Sequence, residues 1–331
     1  MAPDTTAKKR ILSGMRPTGH LHLGHIVGAL NNWRQLQNKY QCYFMIADWH
    51  ALMSEYRTPS VIKSSILDNV IDWLSCGIDP ELSVIFIQSQ VKEHLDLFMI
   101  LSCLVPLGWL ERCPTYKEQK KELKEKDVSN YAFLGYPVLQ AADILLYKAN
   151  YVPVGQDQLP HLEICREIAR RFNNLYHNVF PEPQPLLTEF PKLLGIDGRK
   201  MSKSYDNAIY ISDSKSEIAK KISSMFTDPK RIHKSDVGHP DKCNVYCYYK
   251  VFRADMAEDV YLWCSKAQKG CTECKKILSD TVIKYLEPIQ KKREYFLENK
   301  NGVLEILEQG RVKAQKFAQQ TINEVRKAQG L

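Results

Sequence analysis

The sequence has no apolar run approaching the roughly 18–20 residues that a helical membrane span needs, so membrane integration is not expected. Its opening stretch, Met1 to Arg10, lacks an apolar centre and does not read as a secretory signal, which leaves the cytoplasm as the expected location. There is no internal repeat and no low-complexity tract. Nor is there a strong excess of one charge: a net +8 over 331 residues gives only a mild attraction for polyanions, one that many metabolic enzymes share. What is present is ordinary for a globular chain, 44% hydrophobic and 25% charged, and long enough for a large domain plus a smaller one.

Apolar patterning predicts an alternation of strands and helices in the first half. Arg10 to Ser13 is strand-like and runs into the turn-forming Gly14-Met-Arg-Pro-Thr-Gly19. Leu23, Ile26, Val27, Leu30 and Trp33 then recur at helical spacing. Cys42 to Ala47 and Ser83 to Gln88 read as buried strands, with an amphipathic helix between them from Ile62 to Leu74. Tyr151 to Val154 is a further strand ending at Gly155, and Pro181 to Pro185 reads as a rigid extended connector. Such an order implies an α/β fold, a doubly wound parallel sheet of Rossmann-like type. The charged stretch from Tyr116 to Asp127 suits a solvated helix face. From Ser216 onward apolar residues recur at helical spacing, so residues 1–204 are expected to form the sheet domain and 205–331 an all-helical one.

Two short motifs carry chemistry. His22-Leu-Gly-His25 follows the first strand and opens a helix, where a close-approaching backbone at Gly24 and Gly28, unpaired N–H groups and imidazole donors suit polyphosphate. Lys200-Met201-Ser202-Lys203-Ser204, preceded by Gly195 to Arg199, puts two lysines on a glycine-bounded loop that could clamp a triphosphate. Taken singly, each is equally a surface feature: two histidines at a helix start, or a charged loop. Together, in this order and 175 residues apart (His25 to Lys200), they resemble the HIGH and KMSKS motifs of class I aminoacyl-tRNA synthetases, most closely the short enzymes for tryptophan and tyrosine. The resemblance spans essentially the whole chain and implies a catalytic Rossmann domain followed by a helical anticodon-binding domain. It further implies ATP, used as its Mg2+ complex, an amino acid and a tRNA as substrates, and a homodimer. The reaction would be in-line displacement at the α-phosphate by the amino acid's carboxylate, driven by positioning and charge stabilisation. No protein nucleophile is needed, and none is visible.

Tyr136 to Tyr147, followed by Val152 to Gln158, resembles the segment of tryptophanyl enzymes in which one aspartate accepts the indole N–H; Asp143 matches that aspartate. Indole offers one donor and a large apolar body, so its pocket should hold one carboxylate among apolar walls. Leu12, Val152 and Val154 match the wall positions, and the other reading of Asp143 is a helix-capping carboxylate. Tyrosyl enzymes typically place a tyrosine where Leu12 stands; leucine would leave a phenol unpaired, at a cost of roughly 1–3 kcal/mol. Gln140, by contrast, is also familiar from tyrosyl enzymes. For ATP the resemblance points to Arg16, Pro17, Thr18, Gly24 and His25, to Gly155, Gln156 and Asp157 at the ribose, to Leu193 at the adenine, and to Lys200 through Ser204. His22, His25, Lys200 and Lys203 would be catalytic. Gln158 would face the substrate's amino group. Asp48 and His50 end the second strand on the crevice side, where His50 is either a substrate contact or a core histidine.

Of the ten cysteines, five crowd between Cys243 and Cys274 in polar company. Six residues separate Cys264 from Cys271, two separate Cys271 from Cys274, and twenty separate Cys243 from Cys264. Four thiolates from such a segment can complete a zinc site or an iron–sulfur cubane. Some tryptophanyl enzymes carry a [4Fe–4S] cluster on a like Cys-x6-Cys-x2-Cys ending, which points to Cys243, Cys264, Cys271 and Cys274, with structural Zn2+ as the alternative and Cys247 as the rival first ligand. Aromatic neighbours, Tyr246, Tyr248, Tyr249, Phe252 and Trp263, would exclude water there. The greasy stretch Phe98 to Trp109 is either a dimer surface or a core helix. Two other classes stay open at this point: a nucleotidyltransferase that charges no tRNA, and a non-catalytic, synthetase-like RNA-binding protein.

Overall fold

The computed structural model of the chain describes residues 8–113, 130–187, 193–201 and 205–331. The charged stretch from 116 to 127 falls outside them, as do Ser202, Lys203 and Ser204. Five strands form one sheet: β1 (Arg10–Met15), β2 (Gln41–Ile46), β3 (Ser83–Ile87), β4 (Tyr151–Val154) and β5 (Gln184–Leu187), in the order β3-β2-β1-β4-β5. Every pairing is parallel. Parallel strands need long crossovers, and helices supply them on both faces. That is why Cys42 to Ile46 and Ile85 to Ile87 are apolar without alternation: both sides of these strands are covered.

The winding reverses between β1 and β4, which meet only at Ile11 and Tyr151. They are free to part beyond that pair, and such switch points are where doubly wound sheets take ligands. The expected connector from Pro181 to Pro185 is only partly a connector. Its end becomes β5, and Pro185 sits in that strand because β5 is the sheet's edge, where a missing N–H costs little.

After β1 the chain enters α1 (Leu23–His25), passes through a π-helical turn at Ile26–Leu30 and continues as α2 (Asn31–Lys39). Trp33 of α2 stacks on Phe44 at 4.4 Å between ring centroids, and its indole N–H donates to Ser13 Oγ at 3.1 Å. Next come α3 (Asp48–Glu55), α4 (Ser60–Ser75), α5 (Glu93–Ser102), α6 (Leu107–Arg112), α7 (Tyr131–Leu146) and α8 (Leu159–Leu175). The stretch from Phe98 to Trp109 therefore breaks into two helices. It is neither wholly core nor wholly surface, with Leu101 and Leu104 buried while Met99 and Leu107 are 64% and 62% exposed.

Beyond residue 205 come α9 (Lys215–Ser223), α10 (Asn244–Phe252), α11 (Ala257–Ser265), α12 (Cys271–Glu298) and α13 (Lys300–Gln329). These helices share their apolar core with the sheet: Leu286, Val303 and Leu307 lie in one buried cluster with Ile11, Phe44 and Ile85. The two come close at Gly310, where any Cβ would run into the backbone of Ile85 in β3. Glycine in mid-helix costs about 1 kcal/mol against alanine, and here it lets α13 lie directly on the strand. Among the described residues no helix is long and apolar enough to cross a membrane.

Candidate functional site

Where β1 and β4 part, the molecule holds a cavity of about 370 Å³. Leu12, Ser13 and Gly14 of β1 line it together with Val152, Pro153 and Val154 of β4 and Gly155 just beyond. Met45, Ala47 and His50 close it from the β2 side, and Tyr136, Gln140 and Asp143 of α7 form its floor. The walls expected at Leu12, Val152 and Val154 are thus around one space with Asp143, His50 and Gln158.

Asp143 is 2% exposed and lies inside α7, so it does not cap a helix end. Its carboxylate is held from three sides. Gln88 Nε2 donates to Oδ1 at 2.9 Å and Oδ2 at 3.0 Å, His94 Nδ1 to Oδ1 at 2.6 Å, and His50 Nε2 to Oδ2 at 2.8 Å. Burial pushes this carboxyl up, but the hydrogen bonds and charges of His50 and His94 outweigh it and leave Asp143 below the usual carboxylate range. It is an ionised acceptor whatever the neutral-range pH. His94 in turn is fixed through Nε2 by the Tyr147 hydroxyl at 2.9 Å. His50, 13% exposed at its side chain, both contacts Asp143 and faces the cavity. Asp48 plays another part, accepting from the Ser89 N–H at 3.0 Å and so joining the ends of β2 and β3.

At the mouth, Arg16 lines the cavity and is exposed, while Pro17 is buried and the Thr18 N–H donates to Arg16 O at 3.0 Å. His22 is the N-cap of α1, and its N–H donates to His25 Nδ1 at 3.1 Å. That bond makes Nδ1 of His25 an acceptor, so a neutral ring carries its proton on Nε2. The two motifs meet in space: a Cβ on Gly24 would stand 3.6 Å from Met201 Sδ. Met201 and Leu193 are both buried in the core, and Leu193 does not reach the central cavity. Lys200 O accepts from Asn207 Nδ2 at 3.1 Å, which anchors the near end of the lysine loop. Lys203 and its two serine neighbours lie outside the described residues. Gly155 begins the tight turn Gln156–Gln158, and a Cβ there would be 2.7 Å from Asp157 Oδ1, so glycine lets that carboxylate fold back. Asp157 accepts from Gln158 Nε2 at 2.8 Å.

Residues unremarked in the sequence complete the site. Gln88 and His94 hold Asp143, and His161, buried behind Tyr136, contacts that hydroxyl through Nε2 and the Cys113 thiol through Nδ1 at 3.6 Å. Burial pulls His161 down to about 4, so it is a neutral ring. Gln88 follows β3 directly, and its place at a strand's carboxyl end is the one sequence signal that could have marked it. His94 and His161 carry no comparable signal.

A second, smaller pocket is lined by Cys243, Cys264, Cys271 and Cys274, with Tyr246, Val260 and Trp263 as walls. Cys247 does not line it. Cys243 is the N-cap of α10 and Cys271 opens α12, so two helix N-termini meet at the pocket. Arg231 Nη1 stands 3.7 Å from Cys264 Sγ, and Lys269 lies over the Trp263 ring at 3.8 Å. Burial nevertheless pushes the thiols of Cys243 and Cys264 up, and that of Cys274 to about 12. Among the described residues no group of His, Cys, Asp and Glu side chains is gathered as a metal ion would require.

Comparison with known proteins agrees with this geometry. The family described as tRNA synthetases class I (W and Y) matches residues 4–287. A tryptophan–tRNA ligase of Thermotoga maritima is 50% identical over 97% of this chain and 99% of its own length. One from Aquifex aeolicus is 42% identical, covering 97% of this chain and 100% of the relative. In structure, the tryptophanyl-tRNA synthetase of Campylobacter jejuni, solved with ADP and tryptophan, superposes with a TM-score of 0.87 at 36% identity, over 97% of this chain and 100% of that one.

Proposed function

The chain belongs to the class I tRNA synthetases for tryptophan and tyrosine, and we infer that it is the tryptophan ligase of that pair, activating L-tryptophan with ATP and transferring it to tRNA(Trp) with release of AMP and diphosphate. The observation that carries the choice of amino acid is the buried, ionised Asp143 among apolar walls at the switch point of the sheet. An indole fits such a pocket. A phenol would find Leu12 where it needs a hydroxyl partner.

In this reading Asp143 accepts the indole N–H, while Leu12, Val152 and Val154 pack the rings. His50, bonded to Asp143, is a further substrate contact, and Gln158 faces the substrate's amino group. Arg16, Pro17, Thr18, Gly24 and His25 form the phosphate side, Gly155, Gln156 and Asp157 take the ribose, and Leu193 backs the adenine. His22, His25, Lys200 and Lys203 stabilise charge on the triphosphate, which arrives with Mg2+, as diphosphate leaves; Met201, Ser202 and Ser204 shape the lysine loop. The tryptophan carboxylate is itself the nucleophile, so the protein's work is alignment and charge stabilisation. Pyrophosphate exchange into ATP should depend on tryptophan and not on tyrosine; equal exchange with both amino acids would refute the assignment.

For residues 205–331 we propose the role of anticodon reader, with a [4Fe–4S] cluster held by Cys243, Cys264, Cys271 and Cys274. The four thiols border one pocket that Cys247 does not line, and the Cys-x6-Cys-x2-Cys ending is what favours a cluster over zinc. Two helix N-termini, Arg231 and Lys269 supply positive potential for thiolates. The cluster would fix this end of the molecule and take no part in aminoacylation. Anaerobically purified protein should contain iron and sulfide; stoichiometric zinc without iron would make the site a zinc site. The protein works in the cytoplasm, away from membranes, as a homodimer, for which the exposed Met99 and Leu107 offer apolar surface.

A further inference from the structure

The same long helix that opens at Cys271 also grips the flanks of both signature motifs, and it does so with two side chains, Gln290 and Arg293, three residues apart on one face. They lie about 30 Å along the helix from its start.

Arg293 reaches α4, where its Nε donates to Asp72 Oδ1 at 2.8 Å and its Nη2 contacts Asp68 Oδ1. The other oxygen of Asp68 accepts from His20 Nδ1 at 2.7 Å. His20 stands two residues before His22, and its neighbour Gly19 is tied to the same helix face, its carbonyl accepting from Asn69 Nδ2 at 3.0 Å. A guanidinium in α12 thus holds the loop that leads into the first motif, through one intervening carboxylate.

Gln290 reaches the other flank. Its Nε2 donates to Ile211 O and Asp213 O, both at 2.9 Å. This is the segment that follows the lysine motif and pairs with the first motif's approach: Leu23 N donates to Ile209 O at 2.9 Å, Ile211 N to Leu21 O at 3.0 Å, and Tyr210 bridges His22. Tyr210 also meets the His20 ring edge-on at 6.2 Å. The loop before His22 and the segment after the lysine motif therefore form one small assembly, and α12 holds it at both sides.

We propose that Gln290 and Arg293 are positioning residues for tryptophan activation, acting through His20 and the 209–213 segment to hold the two motifs in reacting register. The inference rests on the ligase reading above. Neither residue lines the substrate cavity, so their effect falls on the alignment of ATP's reacting end and not on tryptophan binding. Asp72, 1% exposed, and Asp68 make Arg293 specific. A planar fork can serve two carboxylates at once, which a lysine ammonium does less well.

The test measures tryptophan-dependent pyrophosphate exchange and thermal unfolding in parallel. His20, 64% exposed at its side chain, can be removed without opening the core. His20→Ala should keep the wild-type melting point and the KM for tryptophan, yet lose about tenfold in kcat, within what a small misalignment of reacting groups costs. Gln290→Leu and Arg293→Met should show the same split per folded molecule, and Arg293→Lys should recover stability with only part of kcat. A purely structural tie would lower melting points and leave kcat per folded molecule unchanged, and that result would overturn the proposal. So would wild-type kcat in both His20→Ala and Gln290→Leu. Wild-type protein without tryptophan-dependent exchange would sink the ligase reading itself, whereas an active wild type with unaffected variants sinks this inference alone.

Discussion

Replacing Asp143 by asparagine probes the tryptophan pocket more cleanly than replacing it by alanine. Alanine would strand Gln88 and His94 in the core without their acceptor, and each buried donor left unpaired costs about 1–3 kcal/mol. The loss of binding would then be indistinguishable from loss of fold. Asparagine keeps the shape and one acceptor oxygen, but it puts an N–H2 where an oxygen stood. Because His94 and His50 donate to opposite oxygens of Asp143, one of them must face the new amide. The indole meanwhile loses a charged acceptor. A hydrogen bond to a charged group is worth about 1.5–3 kcal/mol, so the KM for tryptophan should rise roughly thirtyfold at 2 kcal/mol. KM for ATP should move little, since the side chains that hold Asp143 are Gln88, His94 and His50, none of them assigned to ATP. The same argument fixes a pH expectation. Asp143 is held below the usual carboxylate range, so its contribution is complete above that range and would fade only as pH falls through its lowered pKa; the KM for tryptophan should carry no titration of this group from pH 6 to 8. Tryptophan-dependent exchange, with circular dichroism to confirm folding, is the assay. Unchanged tryptophan KM in folded Asp143→Asn would take the carboxylate out of substrate recognition.

Lys200→Ala should lower the activation rate more than it raises the KM for ATP, since a charge clamp on departing diphosphate acts in the transition state; equal effects on both would make it a static binder. Gly310→Ala should cost about 1–3 kcal/mol in urea unfolding, because the new methyl meets the Ile85 backbone and α13 must shift off β3. His161, pulled from 6.5 to about 4 by burial, should make the fold lose about 3 kcal/mol as pH drops from 6.5 to 4, since the unfolded chain takes up the proton first; His161→Gln should flatten that slope. Cys243→Ser should release iron from anaerobically prepared protein, whereas Cys247→Ser should not, and the opposite pattern would make Cys247 the first ligand.

Strands β2 and β3 were legible because both their faces are covered, and the helix after β1 because Leu23, Ile26, Val27, Leu30 and Trp33 form one buried stripe. The strand order was not. Nothing local to Tyr151 or Gln184 says which side of β1 they join; that is decided by the handedness of crossovers and by the burial of α7 and α8. Pro185 shows the limit sharply. A proline argues against a strand interior, and only the sheet's edge, a property of the whole assembly, makes it acceptable there.

The site divides along the same line. The residues expected to touch substrate come in short runs, at strand ends and helix starts, and parts of 12–18, 136–143 and 152–158 line one cavity. The groups that set those residues' chemistry come from elsewhere. Asp143 is an ionised acceptor because Gln88 and His94 arrive from β3 and the helix after it, about fifty residues away in sequence (55 and 49), and because Tyr147 fixes the His94 ring. A buried carboxylate without those donors would be pushed toward its neutral form by desolvation. It would then offer the indole a weaker partner. The sequence points to Asp143; the tertiary contacts decide that it carries a charge.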